Sequence, residues 1–168
     1  EHPGPDDVRC VSSRLTQLHP KTNLFRDPVS NLYSLSFFKT RLEHILERAK
    51  RNPGLLFAIM AIQYQVDNGE AGPLSDDDSL QLLKQLSALL NKHFRPTDTF
   101  GHLDGLRVIA LYEDLKQPQD VDIIAKRLHQ DLTLTIELNG GGVNVSPAIG
   151  AVLSSPDFQD PETILKAA

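Results

Sequence analysis

Arg95 and Asp98 are the two side chains of this 168-residue chain whose types and spacing point most directly to ligand chemistry. They enclose the stretch Arg-Pro-Thr-Asp, which follows a leucine-rich segment. The planar fork of an arginine can pair with a phosphate, and an aspartate accepts from N–H donors. The pair therefore suits a ligand that carries both kinds of group, such as a nucleotide.

The same four residues also have a purely structural interpretation. In the last turn of a helix, Arg95 would complement the helix dipole, Pro96 would stop the helix and Asp98 would bond its own backbone. The residue types alone leave both interpretations open.

The remaining reactive residue types indicate no nucleophile and no metal centre. The single Cys10 excludes a disulfide within this chain and a cysteine-based zinc site. The histidines lack the i, i+4 spacing of ligands on one helix, although His93 and His102 are candidates to flank a nucleotide near Arg95. No serine stands beside a recognisable base. We therefore expect no metal site and no cofactor.

Charge and hydropathy argue against a nucleic-acid-binding protein and against a membrane-spanning segment. The formal net charge is -5, so no basic field would hold a polyanion, and generic DNA or RNA binding is disfavoured. No apolar run approaches the roughly 20 residues that span a bilayer, and the first residues lack the pattern of a signal peptide. We expect a cytoplasmic location and no membrane insertion of this segment.

Helical periodicity predicts the elements that position these residues. Apolar residues at helical spacing, with Ser34 as the cap, predict a helix from about 35 to 51. A leucine stripe from Ser79 to the Arg95-Pro96 stop predicts a second helix, with the aspartates 76–78 at its N-terminus. Further helices are predicted in QPQDVDIIAKRLHQDL and after Asp160.

Strand patterns lie between these helices. The uncharged run LLFAIMAIQYQV predicts a central strand buried on both faces. TFGHLDGLRVIALYED predicts a hairpin with a type I′ turn at Asp104-Gly105, and LTLTIEL and VNVSPAIGAVL predict a second hairpin around the glycines 140–142. The element order indicates an α+β fold with one mixed sheet of about five strands, covered by helices.

Several of these segments together resemble a known family. The stretch 27–32, DPVSNL, followed by Phe37-Phe38 and a helix, resembles the DxLTGLxNRxxF start of GGDEF domains, the diguanylate cyclases that join two GTP molecules into cyclic di-GMP. A buried strand, an asparagine, a leucine-rich helix, a hairpin at the signature position and SPAIGAVL, which is similar to the family's TxSIGIA strand, follow in order. The resemblance implies a palm-like, mainly antiparallel sheet with helices on both faces.

The resemblance also suggests domain boundaries. It extends over residues 27–168, and residues 1–26 are expected to form a linker from a preceding region. Because the last residues, LKAA, continue a helical pattern, we expect an excised domain whose C-terminal end is truncated.

At the catalytic positions the sequence departs from the family. The G-G-D-E-F signature corresponds here to Asp104, Gly105, Leu106, Arg107 and Val108. Met60 and Ile62 stand where the family's first strand carries two aspartates. Magnesium requires oxygen ligands, which a thioether does not replace. The resemblance therefore implies a lost metal position at Met60, no catalytic residue and a degenerate, inactive domain.

The guanine-reading loop is only partly matched. Asn68 corresponds to an asparagine that contacts guanine in the family. Its partner aspartate falls in a loop whose register, over residues 69–79, stays open: Asp77, Asp78 and Leu80 are the alternatives.

One family feature is retained in register. Many GGDEF domains carry an inhibitory product site, RxxD, that ends five residues before the signature, and Arg95 to Asp98 stand at that spacing. A further arginine contributes in the family; Arg127, with or without Lys126, is the nearest match, and His129 is an alternative register. The resemblance implies a cyclic di-GMP site at Arg95, Asp98 and Arg127.

These observations favour a catalytically inactive receptor that binds cyclic di-GMP and signals to neighbouring domains of a longer chain. The alternative is a module that binds no nucleotide and serves in homodimerisation or protein interaction. An active cyclase that uses displaced carboxylates, such as Asp67 and Asp104, is the third and weakest hypothesis.

Overall fold

A computed structural model describes residues 25–28, 30–69, 72–93, 95–138 and 141–155. The predicted linker, except for residues 25 and 26, and the helix predicted after Asp160 lie outside these ranges. The described elements are, in chain order, α1 (Leu35–Arg51), β1 (Ala58–Asp67), α2 (Asp76–Asn91), β2 (Thr99–Asp104), β3 (Arg107–Tyr112), α3 (Asp120–Asp131), β4 (Leu134–Leu138) and β5 (Gly141–Leu153). Within those ranges, no helix is long and apolar enough to cross a membrane.

The five strands form one sheet in the order β2-β3-β1-β5-β4. Each neighbouring pair of strands is antiparallel. A parallel pairing is present as an isolated bridge between Tyr33, just before α1, and Gly101 on β2. The predicted five-stranded α+β fold is confirmed, and its mixed character is limited to that bridge.

Helix α1 covers one face of the sheet. Its bounds are those predicted, because the Ser34 hydroxyl accepts a hydrogen bond from the N–H of Phe37 at the start and basic residues occupy the last turn. The buried side chains Phe38, Leu42 and Ile45 pack against β1 and β3 on this face. Gln63 and Gln65 are exposed, so β1 is not buried on both faces over its whole length as predicted.

Helices α2 and α3 cover the opposite face, where the larger apolar core lies. Helix α2 begins at Asp76 because the Ser75 hydroxyl accepts from the N–H of Asp78 and three aspartates favour the positive end of the dipole. It ends at Asn91. Arg95 therefore lies beyond the helix, and its interpretation as a helix-terminal residue is wrong.

The β2–β3 hairpin turns at Gly105-Leu106, one residue later than predicted. Asp104 pairs with Arg107 across the hairpin, and a bulge between His102 and Asp104 shifts the register. Of the two turn residues Gly105 alone has a positive φ, 41°. A positive φ at only the first central position is typical of a type II′ turn, whereas type I′ needs two such residues.

Candidate functional site

A cavity of about 280 Å³ opens beside the end of β3, between the turn before β2 and helix α3. It brings together all three residues predicted to bind a ligand: Arg95, Asp98 and Arg127. The other lining residues combine polar groups with an apolar floor: His93, Tyr112, Asp114, Leu115, Lys116, Asp120, Ile123, Ile124 and Leu128. The sequence places these residues far apart, and the antiparallel sheet brings them together.

Arg95 and Asp98 already bond each other in this structure. The Arg95 Nε and Nη2 atoms donate to the two carboxylate oxygens of Asp98 at 3.1 and 3.2 Å, and the Arg95 backbone N–H donates to Oδ2 at 3.2 Å. The Asp98 side chain is only 1% exposed, whereas that of Arg95 is 53% exposed. The hydrogen bond that Arg95 donates to Asp98 raises the pKa of the Arg95 guanidinium. The pair is a buried carboxylate held by a half-exposed, permanently charged cation.

Arg127 occupies the cavity wall formed by α3. Residues 123, 124, 127 and 128 line the cavity, a spacing that puts them on one side of a helix. Lys126, predicted together with Arg127, and His129, the alternative register, do not line it. Of these three residues the helix register thus places Arg127 alone in the cavity with Arg95 and Asp98.

The charges around the rim are not all neutralised by one another. Asp120 accepts from the backbone N–H groups of Lys116 and Gln117, both at 3.1 Å, so it is bonded by neutral donors. Among the described residues, the Lys116 ammonium and the Arg127 guanidinium have no carboxylate within ion-pair distance. Both cations are therefore available to an anionic group of a ligand.

Of the two histidines proposed near a nucleotide, His93 lines the cavity and His102 does not. The His93 Nε2 atom lies 3.2 Å from Asp131 Oδ2 at the end of α3. The His102 Nε2 atom lies 3.0 Å from the carbonyl oxygen of Gly105, and its Nδ1 atom lies 3.6 Å from Asp27. His102 thus belongs to the hairpin turn and the segment before α1.

A buried ion cluster at the end of β3 was not found by sequence reasoning. Glu113 is 4% exposed and accepts from Arg41 at 2.9 Å and from Arg48 at 3.4 Å, both on α1. Arg48 also lies 3.6 Å from Asp114, which lines the cavity with a positive φ of 57°. Because the partners are 65 to 72 residues apart, no local pattern could have indicated the cluster. It ties α1 to the edge of the cavity.

The hairpin turn that the family resemblance aligns with the signature forms its own ion pair. Arg107 Nε donates to Asp104 at 2.7 Å, and a second bond joins the same two side chains. The Arg107 hydrogen bond holds the pKa of the Asp104 carboxyl below its usual range. Leu106 is half-buried and packs against the core, while Val108 is buried. The turn is self-contained and does not line the cavity.

The comparison with known families decides what kind of domain this is. The family described as "Diguanylate cyclase, GGDEF domain" matches residues 24–168, most of the chain. The chain belongs to the GGDEF domain family. A comparison with curated proteins found no match for this GGDEF domain.

Solved structures show the same fold. A sensory box/GGDEF family protein from Caulobacter crescentus is 21% identical, with a TM-score of 0.72 over 86% of this chain and 92% of that chain. The FimX GGDEF domain from Pseudomonas aeruginosa is 20% identical, with a TM-score of 0.70 over 86% and 88% of the two chains. The coiled coil and GGDEF domain of Caulobacter crescentus DgcB, in complex with c-di-GMP, is 11% identical, with a TM-score of 0.76 over 96% and 84%. At these identities the likeness establishes the fold of this GGDEF domain.

The two residues of this GGDEF domain that the family resemblance aligns with the strand aspartates belong to the apolar core. Met60 is 0% exposed and Ile62 is 1% exposed, and both pack under α2 and α3. Within the described residues no group of three His, Cys, Asp or Glu side chains lies close enough to hold a metal ion. A cation at Met60 would meet hydrocarbon side chains.

The loop that reads guanine in the family is bonded internally here. The Asn68 side chain donates to the carbonyl oxygen of Gly72 at 3.2 Å, and Asp67 accepts from the N–H of Gly69 at 2.9 Å. Asp77 and Asp78 lie in the first turn of α2, where they complement the dipole as predicted, and Leu80 follows on the same helix.

Proposed function

We propose that this GGDEF domain binds cyclic di-GMP in the cavity of Arg95, Asp98 and Arg127, does not synthesise it, and acts as a receptor for neighbouring domains. One contrast supports the proposal. Arg95 and Asp98 of the RxxD stretch line one cavity together with Arg127, whereas Met60 and Ile62, which the family resemblance aligns with the metal-binding carboxylates, are buried in the core. The domain thus keeps groups suited to the product and lacks groups suited to the reaction.

The chemistry of the cavity fits one half of a guanine dinucleotide. Asp98 supplies a carboxylate for the N1 and N2 hydrogens of guanine, and Arg95 supplies a fork for its other edge or for a phosphate. Lys116 and Arg127 on the rim can approach a phosphate, and the floor of Leu115, Ile124 and Leu128 suits a planar base. At about 280 Å³ the cavity is just below the range of about 300–1,000 Å³ of typical ligand sites, so the other half of the ligand extends outside it.

A relative supports the choice of ligand. The GGDEF domain of DgcB has been solved in complex with c-di-GMP both with and without its coiled coil. We propose the same ligand for the present domain on the basis of its own cavity residues.

The loss of synthesis rests on the chemistry of phosphoryl transfer. Two metal ions ordinarily neutralise the triphosphate and the attacking oxygen, and hard cations such as Mg²⁺ need oxygen ligands. The signature turn presents Leu106 and Arg107 at the acidic positions, and Arg107 is already paired with Asp104. Incubation with GTP and Mg²⁺ or Mn²⁺ should yield no cyclic di-GMP; measurable turnover would disprove this part of the proposal.

Calorimetry with cyclic di-GMP tests the receptor. We expect binding in the micromolar range or tighter. The absence of heat at high ligand concentration, with a folded protein, would contradict the proposal and favour the module that binds no nucleotide. The closed Arg95–Asp98 pair is the observation that favours that second candidate, because it satisfies the buried carboxylate without a ligand.

Arg127→Ala should weaken cyclic di-GMP binding about tenfold, because one charge-assisted hydrogen bond to a phosphate or base is lost. The matched control is Lys126→Ala, which removes a neighbouring cation of the same helix that does not line the cavity. Calorimetry of the two variants should show a loss for Arg127→Ala alone. Equal effects would indicate a general electrostatic attraction rather than a site.

A further inference from the structure

The hydroxyl of Tyr112 is buried without a hydrogen-bond partner. Tyr112 ends strand β3, is 3% exposed, and its hydroxyl is one of three such buried side-chain groups among the described residues, with those of Tyr64 and Ser87. A buried polar group that lacks a partner is destabilising, and in a native fold it calls for an explanation.

The position of Tyr112 distinguishes it from the other two. It lines the cavity beside Arg95 and Asp98, whereas Tyr64 and Ser87 do not. Its ring packs edge-on against Phe100, with centroids 5.8 Å apart, which holds its orientation. Burial, and then the nearby Asp98 carboxylate, raises the pKa of the Tyr112 hydroxyl, which therefore remains a donor.

The Arg95–Asp98 pair must open before guanine can bond Asp98. A carboxylate has about four lone-pair sites. Three donors of Arg95 already bond the Asp98 carboxylate. The guanine edge brings two more N–H donors, so at least one side-chain bond of Arg95 has to break. Arg95 is half-exposed and can move, whereas Asp98 and Tyr112 are held in the core.

We infer that Tyr112 is a further guanine-recognition residue of this cavity, whose hydroxyl donates to O6 when Asp98 accepts from N1 and N2. N2, N1 and O6 lie side by side on one edge of guanine, as donor, donor and acceptor. The buried carboxylate and the unpartnered hydroxyl on the same cavity wall supply the complementary set. The Tyr112 hydroxyl has almost no accessible surface without ligand, so the proposal requires that the movement of Arg95 that frees Asp98 also uncovers this hydroxyl.

This arrangement selects guanine over adenine. Adenine presents an acceptor at N1 and a donor at N6. Its N1 lone pair would therefore face the carboxylate of Asp98, which needs a donor, and its N6 donor would leave the Tyr112 hydroxyl without an acceptor. A site built to bond a polar group rejects a ligand that lacks it, because buried polar groups are then left unpaired. The inference rests on the proposed receptor function.

Tyr112→Phe tests the role of the hydroxyl. Cyclic di-GMP should bind about tenfold more weakly, since the buried O6 loses its donor. The preference of the domain for cyclic di-GMP over cyclic di-AMP, measured by competition, should fall by a similar factor. Thermal stability should be equal or higher, because the change removes an unpartnered hydroxyl from the ligand-free protein.

The matched control is Tyr64→Phe, which removes a hydroxyl that is equally buried and unpartnered but does not line the cavity. It should leave the affinity unchanged. Wild-type affinity in Tyr112→Phe, or equal losses of affinity in Tyr112→Phe and Tyr64→Phe, would overturn the role of Tyr112. In that case the receptor function still stands if Arg95→Ala abolishes binding. Failure of the wild-type protein to bind cyclic di-GMP would overturn both.

Discussion

Arg95→Ala is expected to weaken cyclic di-GMP binding at least about a hundredfold. The substitution removes the charge-assisted bonds that Arg95 would make to the ligand, each of which contributes about 1.5–3 kcal/mol. It also leaves the carboxylate of Asp98, whose side chain is 1% exposed, without its cationic partner in a cavity that is to receive an anion. Truncating one member of a hydrogen-bonded charge pair in a binding site costs about 2–5 kcal/mol, so the combined effect exceeds a hundredfold.

The chain offers a closely matched control in Arg107→Ala. Arg107, like Arg95, is about half-exposed and bonds an aspartate three residues away, but its partner Asp104 is exposed and the pair lies in the hairpin turn. Arg107→Ala should leave the dissociation constant unchanged in calorimetry, while circular dichroism verifies that both variants are folded. If Arg107→Ala abolished binding and Arg95→Ala did not, the ligand would have to sit at the signature turn, and the cavity would be excluded as its site.

Met60→Asp, which places a carboxylate where the family resemblance aligns a strand aspartate, is expected to destabilise the domain by about 3–5 kcal/mol and to produce no synthesis. Met60 is fully buried, and neighbours such as Ala110 on β3 are also buried hydrocarbon. An isolated carboxylate there has neither water nor a cation to offset its desolvation. Urea unfolding followed by circular dichroism measures the loss, and a GTP turnover assay measures activity.

The destabilisation by Met60→Asp should depend on pH. Burial raises the pKa of the introduced carboxyl in the folded state, so the folded state binds the proton more tightly than the unfolded one. The penalty should be smallest below the unfolded value of about 3.9 and should grow as the pH rises through neutrality. Met60→Leu, which nearly conserves volume, should cost less than about 1.5 kcal/mol at any of these pH values. A variant with wild-type stability and cyclase activity would show that the core can hold the metal after all.

Local sequence was a reliable guide wherever neighbouring residues decide the structure. Helix α1 has the predicted bounds because its cap, its apolar stripe and its basic last turn are all short-range features. Helix α2 begins three residues earlier than its leucine stripe, since Ser75 and the aspartates after it form the cap. The hairpin was predicted, but its turn lies one residue later because a bulge between His102 and Asp104 shifts the register.

The sequence by itself determined the family's order of elements, the uncharged residues of the first strand and the spacing of Arg95 and Asp98, since all three depend on residue identity along the chain. Only the tertiary structure decided that Arg127 rather than Lys126 lines the cavity, that Glu113 joins two arginines of α1, and that the Tyr112 hydroxyl is buried beside the Arg95–Asp98 pair. These features join residues that are distant in sequence, and the packing of helices on the sheet places them together. Side-chain direction and burial, which decide the site, depend on contacts that no local pattern contains.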